Sequence, residues 1–382
     1  MLAATLTGLM TLASPPGRAA GIEWNASGFL TLAAGRVFGG DPKADFNGYE
    51  APVYIADYGQ GGVYEKPKGW SVGPDSKAGV QVTGVFNPQW SVTSQAVIRG
   101  AANGRPDLEW LYASWKADDK LTVQVGRKRL PLFYYSESQD VGFSMPWVRL
   151  PPQAYGWNVV NYNGANVLYR DQWGSWSASS EVFLGGETRR DNPYQHIYFG
   201  KNANIDETWK NILGADVLLS REWLEMRFSY MQSDWGFSGW GQNGPLSWPD
   251  SRQRFYSASF NVDYAGWLAV CELSYVDRRQ AYEYDYAQLL GIGRRFGKWL
   301  PMLTYANFDG HYIKGPAYSG TDNEAHSTLA LSLRYDLTGT SDVKLQLERW
   351  KDRNGPDFNA ALGIPTGQGN PVLLSVSYDQ VF

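Results

Sequence analysis

One stretch concentrates side chains capable of chemistry: GRKRLPLFYYSESQDVGFSMPWVRLPPQAYGW, Gly126 to Trp157. Arg127, Lys128 and Arg129 stand in a row, Arg149 follows, and Glu137 and Asp140 lie between them in a turn-like segment. Phe133, Tyr134, Tyr135 and Trp147 add aromatic surface. The chemistry open to this set is electrostatic. Carboxylates held opposite guanidinium groups create a field across a gap; closed on one another, the same groups pin a loop. Catalysis has less to work with. Histidine is the usual general base near neutral pH, and only His196, His311 and His326 exist, the first two in different long loops and the third opening a strand. There is no GxSxG elbow and no HExxH helix. The carboxylate pairs Asp206–Glu207 and Asp322–Glu324 read as solvated loop charges, and Asp41, Asp45 and Glu50 as a weaker candidate for Ca²⁺. No catalytic residue, metal or cofactor is expected.

The elements that position these residues must suit an unusual composition. Of 382 residues, 15% are aromatic, with 17 Trp and 24 Tyr, while 19% are charged against about 25% in ordinary soluble domains. Mean hydropathy is -0.39, too polar for a bundle of membrane helices. Such a balance fits strands that are apolar on one side only. With 34 basic and 38 acidic residues the net charge is -4, which excludes nucleic-acid binding driven by bulk charge. Cys271 is the single cysteine, so no intrachain disulfide forms and structural zinc is excluded. It alternates with Ala269 and Leu273 and reads as a small hydrophobe. Residues 1–20, an uncharged apolar run followed by Pro15, Pro16 and small residues, read as a secretory signal, although no Lys or Arg precedes the run. Residues 21–382 then form one domain.

Within that domain, alternation with a period of two recurs about sixteen times in segments of about ten residues. Leu329, Leu331 and Leu333 oppose Thr328, Ser332 and Arg334; Val343, Leu345 and Leu347 oppose Lys344, Gln346 and Glu348. Arg99 shares the polar phase of Gln95. Arg127 shares the phase of Val123 and Val125, so it turns to the polar side only if Gly126 ends or bulges its strand. Connections alternate short and long: the short ones lie at 87–89, 117–120, 172–175, 220–223, 265–267, 297–299 and 338–341. The long ones include 37–75, 129–158, 187–209 and 235–251. Trp90, Trp173, Trp176, Trp223, Trp267 and Trp299 stand beside short turns, where indoles prefer a membrane interface. The expected fold is an all-β antiparallel barrel crossing a membrane, closed by its last strand.

That last strand, PVLLSVSYDQVF, is amphipathic and ends on Phe382, with Tyr378 in the same phase. In this ending, in the loop alternation and in the Gly-Arg-rich lead-in GRKRLPLFYYSES, the sequence resembles the sixteen-stranded porins of Gram-negative bacteria, including relatives of anion-selective ones. The resemblance implies an outer-membrane channel for small hydrophilic solutes, embedded among lipid and lipopolysaccharide. It also implies that Tyr378 and Phe382 are read by the barrel-assembly machinery, and that the protein is a homotrimer; the first long loop could latch onto a neighbour. It implies that the third long loop folds into the lumen, where Glu137 and Asp140 face a basic wall of Arg99, Arg127 and Arg129, with Lys128 and Arg149 flanking. Tyr134 and Tyr135 would anchor the loop or offer sugars a greasy path. Since basic residues outnumber acidic ones there, mild anion preference is expected. A sugar- or phosphate-selective channel, a barrel hydrolase and a soluble glycan-binding β-protein remain the alternatives.

Overall fold

The computed structural model describes residues 21–43, 46–281, 283–313, 322–362 and 369–382. The expected signal segment and Asp45 lie outside them. Four strands open the chain: β1 (Glu23–Gly39), a short hairpin β2 (Val53–Asp57) and β3 (Gly62–Glu65), and β4 (Lys77–Val85). Then come β5 (Trp90–Arg99), β6 (Pro106–Lys116), β7 (Leu121–Arg129), β8 (Asn161–Trp173) and β9 (Trp176–Arg189). They are followed by β10 (Asn204–Arg221), β11 (Leu224–Gly241), β12 (Gly244–Tyr264), β13 (Trp267–Arg278) and β14 (Glu283–Arg294). The last are β15 (Trp299–Tyr312), β16 (Ala325–Asp336), β17 (Ser341–Asp352) and β18 (Pro371–Val381). Short helices α1 (Pro152–Tyr155), α2 (Pro193–Phe199) and α3 (Pro356–Leu362) sit in the long connections.

All strands except β2 and β3 pair antiparallel with their neighbours in one closed sheet of sixteen, β18 returning to β1. Closure leaves no unpaired edge, which is what hydrocarbon demands of a sheet. The seam is tied by Gly28 N–H to Phe382 O at 2.7 Å and Phe382 N–H to Gly28 O at 3.0 Å. The Phe382 ring lies over Gly28; a Cβ there would meet the ring at 2.5 Å.

Burial is inverted relative to a water-soluble sheet. On β17, Leu345 and Leu347 are 49% and 47% exposed, while Lys344 and Glu348 on the other face are 1% and 0% exposed. Water would make an outward row of leucines costly, at about 25 cal/mol per Å² of apolar surface, whereas lipid tails make it free. Trp90, Trp173, Trp176, Trp267 and Trp299 stand in the outward phase at their strand ends and Trp223 lies in its turn; Trp90 is joined by Trp115 at a ring separation of 6.3 Å. Tyr169 and Tyr378 mark the same level, and Tyr230 the opposite end of the wall, through bonds to the polar residue two places on: Tyr169 to Asp171 (3.0 Å), Tyr378 to Gln380 (2.7 Å) and Tyr230 to Gln232 (3.2 Å).

Four expectations are corrected. The segment 235–251 is no loop: β11 and β12 run on as a ladder to Gly241 and Gly244, joined by two residues. His311 lies in β15, not in a loop. The first long connection does not extend outward along its whole length: its hairpin folds into the barrel mouth, where Val53, Tyr54, Ile55 and Tyr64 are buried against Ile197, Trp350 and Leu373, while Trp70 and Val72 beyond it are exposed. Glu207 and Glu324 are not solvated: both are buried, Glu207 inside β10.

Candidate functional site

Residues 130–160 form the third long connection, and they cross the lumen. Leu130 N–H bonds Val160 O at 2.9 Å and closes the neck of the loop. The descending arm lies on β11 to β13: the Ser229 and Ser257 hydroxyls donate to Pro131 O (3.0 Å) and Leu132 O (2.6 Å), and Tyr134 N–H donates to Glu272 (3.1 Å). The returning arm lies further round the same side of the barrel, on β15 to β17. Lys344 donates to Gly142 O (2.7 Å), Arg334 to Phe143 O (2.6 Å), and Trp147 Nε1 to Thr304 (2.8 Å). Gly142 permits a close approach, because a Cβ there would overlap the Asp379 carboxylate. Buried cations on the wall thus satisfy loop carbonyls that have no ladder partner.

The loop's charges are organised around a residue the sequence reading missed. Glu109 is fully buried and accepts from Arg99 at 2.5 Å and from Arg129 at 2.6 Å. Asp140 closes the square, 2.7 Å from both guanidinium groups, with Lys77 at 3.8 Å. Burial works against the Asp140 charge, but Arg99 and Arg129 outweigh it and hold the carboxyl well below the usual range. Strand parity alone would send Glu109 outward with Leu111. A register shift opposite Gln95 and Ala96 inserts one residue into β6 and turns Glu109 inward.

The other basic residues are placed apart from this square. Arg149 is buried, bonding Asp75 at 2.7 Å and Ser375 at 2.5 Å, with Glu348 against its other nitrogen and the Tyr64 ring 5.6 Å away. Arg127 keeps the phase of Val125, because β7 continues through Gly126 at φ +140° without a break; it bonds Leu108 O and Glu187 at 2.7 and 2.6 Å. Arg129, two residues further in that phase, is buried because the chain turns into the barrel at the end of β7. Lys128 faces inward, 3.4 Å from Glu181 and 5.5 Å from the Tyr112 ring centre.

Tyr135 is buried, its ring at right angles to Trp147 and Tyr134. The Tyr134 hydroxyl donates to Glu225, and burial followed by the Glu225 charge pushes its pKa far up, so it stays a neutral donor. Both tyrosines are anchors. Glu137 differs: it is exposed, and among the described residues it has no hydrogen bond or ion pair. It lies within electrostatic reach of Glu181, Asp216 and Arg227, the last two joined at 2.7 Å. The structure therefore gathers Arg99, Arg129 and Asp140 into a pin, sets Arg127 and Arg149 in separate pairs, and leaves Glu137 facing the wall of β9 to β11.

A second hub ties the outer loops. Glu207 accepts from Trp235 Nε1 (2.5 Å), Gln195 (2.7 Å), Asn192 (2.8 Å) and Asn158, binding the third and fourth loops to β10. The histidines do not converge. His196 bonds Asp191 at 2.9 Å in the fourth loop, His326 is stacked on Trp350 at 4.5 Å, and His311 is on the outer wall.

A closed sixteen-stranded sheet, apolar outside, charged inside and crossed by its third loop, is the fold of the outer-membrane porins. Among solved structures it resembles an OmpF of Salmonella typhi in complex with daunomycin (TM-score 0.57, 10% identity, 94% of this chain and 98% of that one). The outer-membrane channel DcaP of Acinetobacter baumannii matches with TM-score 0.56 and 10% identity over 97% and 100% of the two chains. An anion-selective porin from Comamonas acidovorans matches with TM-score 0.55 and 13% identity over 94% and 100%. No family model and no curated sequence matches the chain.

Proposed function

We propose that the protein is a passive outer-membrane channel for small hydrophilic solutes and ions, and a narrow one. The observation that carries this reading is the inverted burial of the wall, with leucines outward and Arg, Lys and Glu side chains inward on the same strands. Narrowness follows from two fillings of the lumen, the third loop tied to the wall and the first-loop hairpin packed into the mouth. The space left for water lies between Glu137 and the inner wall of β6 to β11, where Tyr112, Gln124 and Lys128 are only half-buried.

Selectivity in this reading differs from simple counting. The arginines that suggested anion preference are matched by Glu109, Asp140, Asp75, Glu348 and Glu187, whereas Glu137 is unmatched. Weak cation preference is the consequence. A homotrimer belongs to the same reading. Planar-bilayer recording under a salt gradient tests the proposal: it expects discrete conductance steps and a cation-leaning reversal potential that Glu137→Gln moves toward zero. Bilayers that stay sealed overturn the channel; an anion-leaning potential overturns the selectivity.

A further inference from the structure

Below the square of Arg99, Glu109, Arg129 and Asp140 the inner wall is of two kinds. From β9 to β11 it is charged, with Glu181, Asp216 and Arg227 turned inward. From β4 to β7, between the square and the short turns, the inward positions carry carboxamides, hydroxyls and Tyr112, and no carboxylate. These neutral groups form a connected belt. Gln95 donates to Gln81 at 3.2 Å, Gln124 to Ser114 at 3.0 Å, and Asn166 of β8 to Gln124 at 3.1 Å. Lys128 donates to the same Gln124 carbonyl at 2.6 Å, and its ammonium stands 5.5 Å from the Tyr112 ring centre. Such bonds orient each amide plane without using up its donors and acceptors. Asn166 is 2% exposed, and its carbonyl oxygen has no hydrogen-bond partner among the described residues. Trp110 Nε1, in register with Gln95, is a donor likewise without a partner. Glu137, exposed on the third loop, borders the belt: its charge reaches Tyr112 as well as Glu181.

We propose that this belt is a saturable binding site for a neutral sugar of one ring, so that flux of such a solute departs from simple diffusion. The proposal deepens the channel reading by naming a solute class, and it rests on that reading for access to the lumen. The class follows from what each part can bind. A carboxamide presents donors and an acceptor in one plane, and a hydroxyl is itself both donor and acceptor. A ring of hydroxyls can therefore use Gln81, Gln95, Gln124 and the Asn166 oxygen together. A small ion finds no opposite charge on the belt to offset the loss of its hydration shell. Glu137 separates the remaining candidates. An anion is repelled by it, and an ammonium pairs with it but leaves the amides unused. A neutral polyol engages both, since a carboxylate accepts from two adjacent hydroxyls. Tyr112 supplies half-buried ring surface for the C–H face of the sugar.

The test uses the full-length barrel in planar bilayers, with ion current recorded as glucose is added. Tetraethylene glycol, of similar mass but with hydroxyls only at its ends, is the comparison probe. Glucose should reduce the current along a saturating curve, and tetraethylene glycol only in proportion to its concentration. Gln124→Leu and Tyr112→Leu should each raise the half-saturating glucose concentration about tenfold, the loss of one hydrogen bond or one packed ring. Arg36→Gln, on the outer face of β1, should change nothing. Equilibrium dialysis of labelled glucose against the barrel in detergent repeats the measurement without conduction and should find one site, weakened by the same two variants. Each variant is checked for heat-dependent gel mobility. Equal effects of the two probes, saturation indifferent to both wall variants, or glycine competing as well as glucose would each overturn the proposal. A wild type that conducts but neither saturates nor retains glucose sinks the site and leaves the channel standing. Bilayers that stay sealed sink the channel, and dialysis then still decides the site.

Discussion

At the scale of single residues, the decisive arrangement is the square of Arg99, Glu109, Arg129 and Asp140, because it converts apparent pore charges into a fastener. Each member is buried, so removing one partner strands the others; loss of one member of a buried pair costs about 3–5 kcal/mol. Glu109→Gln should therefore lower barrel stability by about 3 kcal/mol in urea titrations of vesicle-refolded protein. Arg127→Ala, outside the square, should change stability little in the same assay. The pH dependence follows from Asp140. Its folded pKa is depressed, so its contribution is fully present above the unfolded value of about 3.9 and is lost as pH falls through the lower folded one. Loop accessibility to protease should then stay flat from neutral pH down to about 4 and rise only in stronger acid. A rise already near pH 6 would point to the loop being held by other groups.

At the scale of elements, two inward-folded connections decide how much water the barrel can hold. The hairpin of β2 and β3 is held by Asn47 donating to Ile197 O at 2.9 Å and by Lys201 with Glu65 at 3.1 Å, so loops one and four are joined over the barrel mouth. Replacing residues 53–65 by a short Gly-Ser link should raise single-channel conductance severalfold while leaving the barrel folded; unchanged conductance would place the limiting section wholly at the third loop. Legibility also divides at this scale. Strands inside the membrane announce themselves, since lipid outside and water or charge inside impose alternation at every second residue. The upper ends of β11 and β12 do not: above the headgroups the outer face meets water while Trp235, Phe237 and Trp248 pack on loop residues, so DWGFSGWGQNGPLSWPDS carries no sustained apolar phase and reads as loop although its backbone ladder continues. The inward turn of Glu109 was hidden for a different reason, because a one-residue bulge leaves no mark in the alternation until the partner strand is known. The pairing of Arg149 with Asp75 and Glu348 joins positions distant in sequence and was equally out of reach.

At the scale of the whole molecule, everything depends on what surrounds the wall, and one substitution separates the possibilities by sign. Leu331 is 56% exposed on β16, well inside the band bounded below by Trp299 and Tyr335, whose rings are 4.4 Å apart. In a water-soluble sheet, arginine at so exposed a site would be neutral, since a surface leucine gains little from burial. In hydrocarbon the same change costs about 2–4 kcal/mol, falling to about 0–1 kcal/mol near the interface. Leu331→Arg and Tyr335→Arg should therefore differ clearly when unfolded by urea from lipid vesicles, the first destabilised and the second nearly unaffected. The depth dependence is the informative part. A protein held together only by its interior would respond to both alike, whereas a barrel whose leucines rest on acyl chains must respond according to how far each arginine lies from the headgroups.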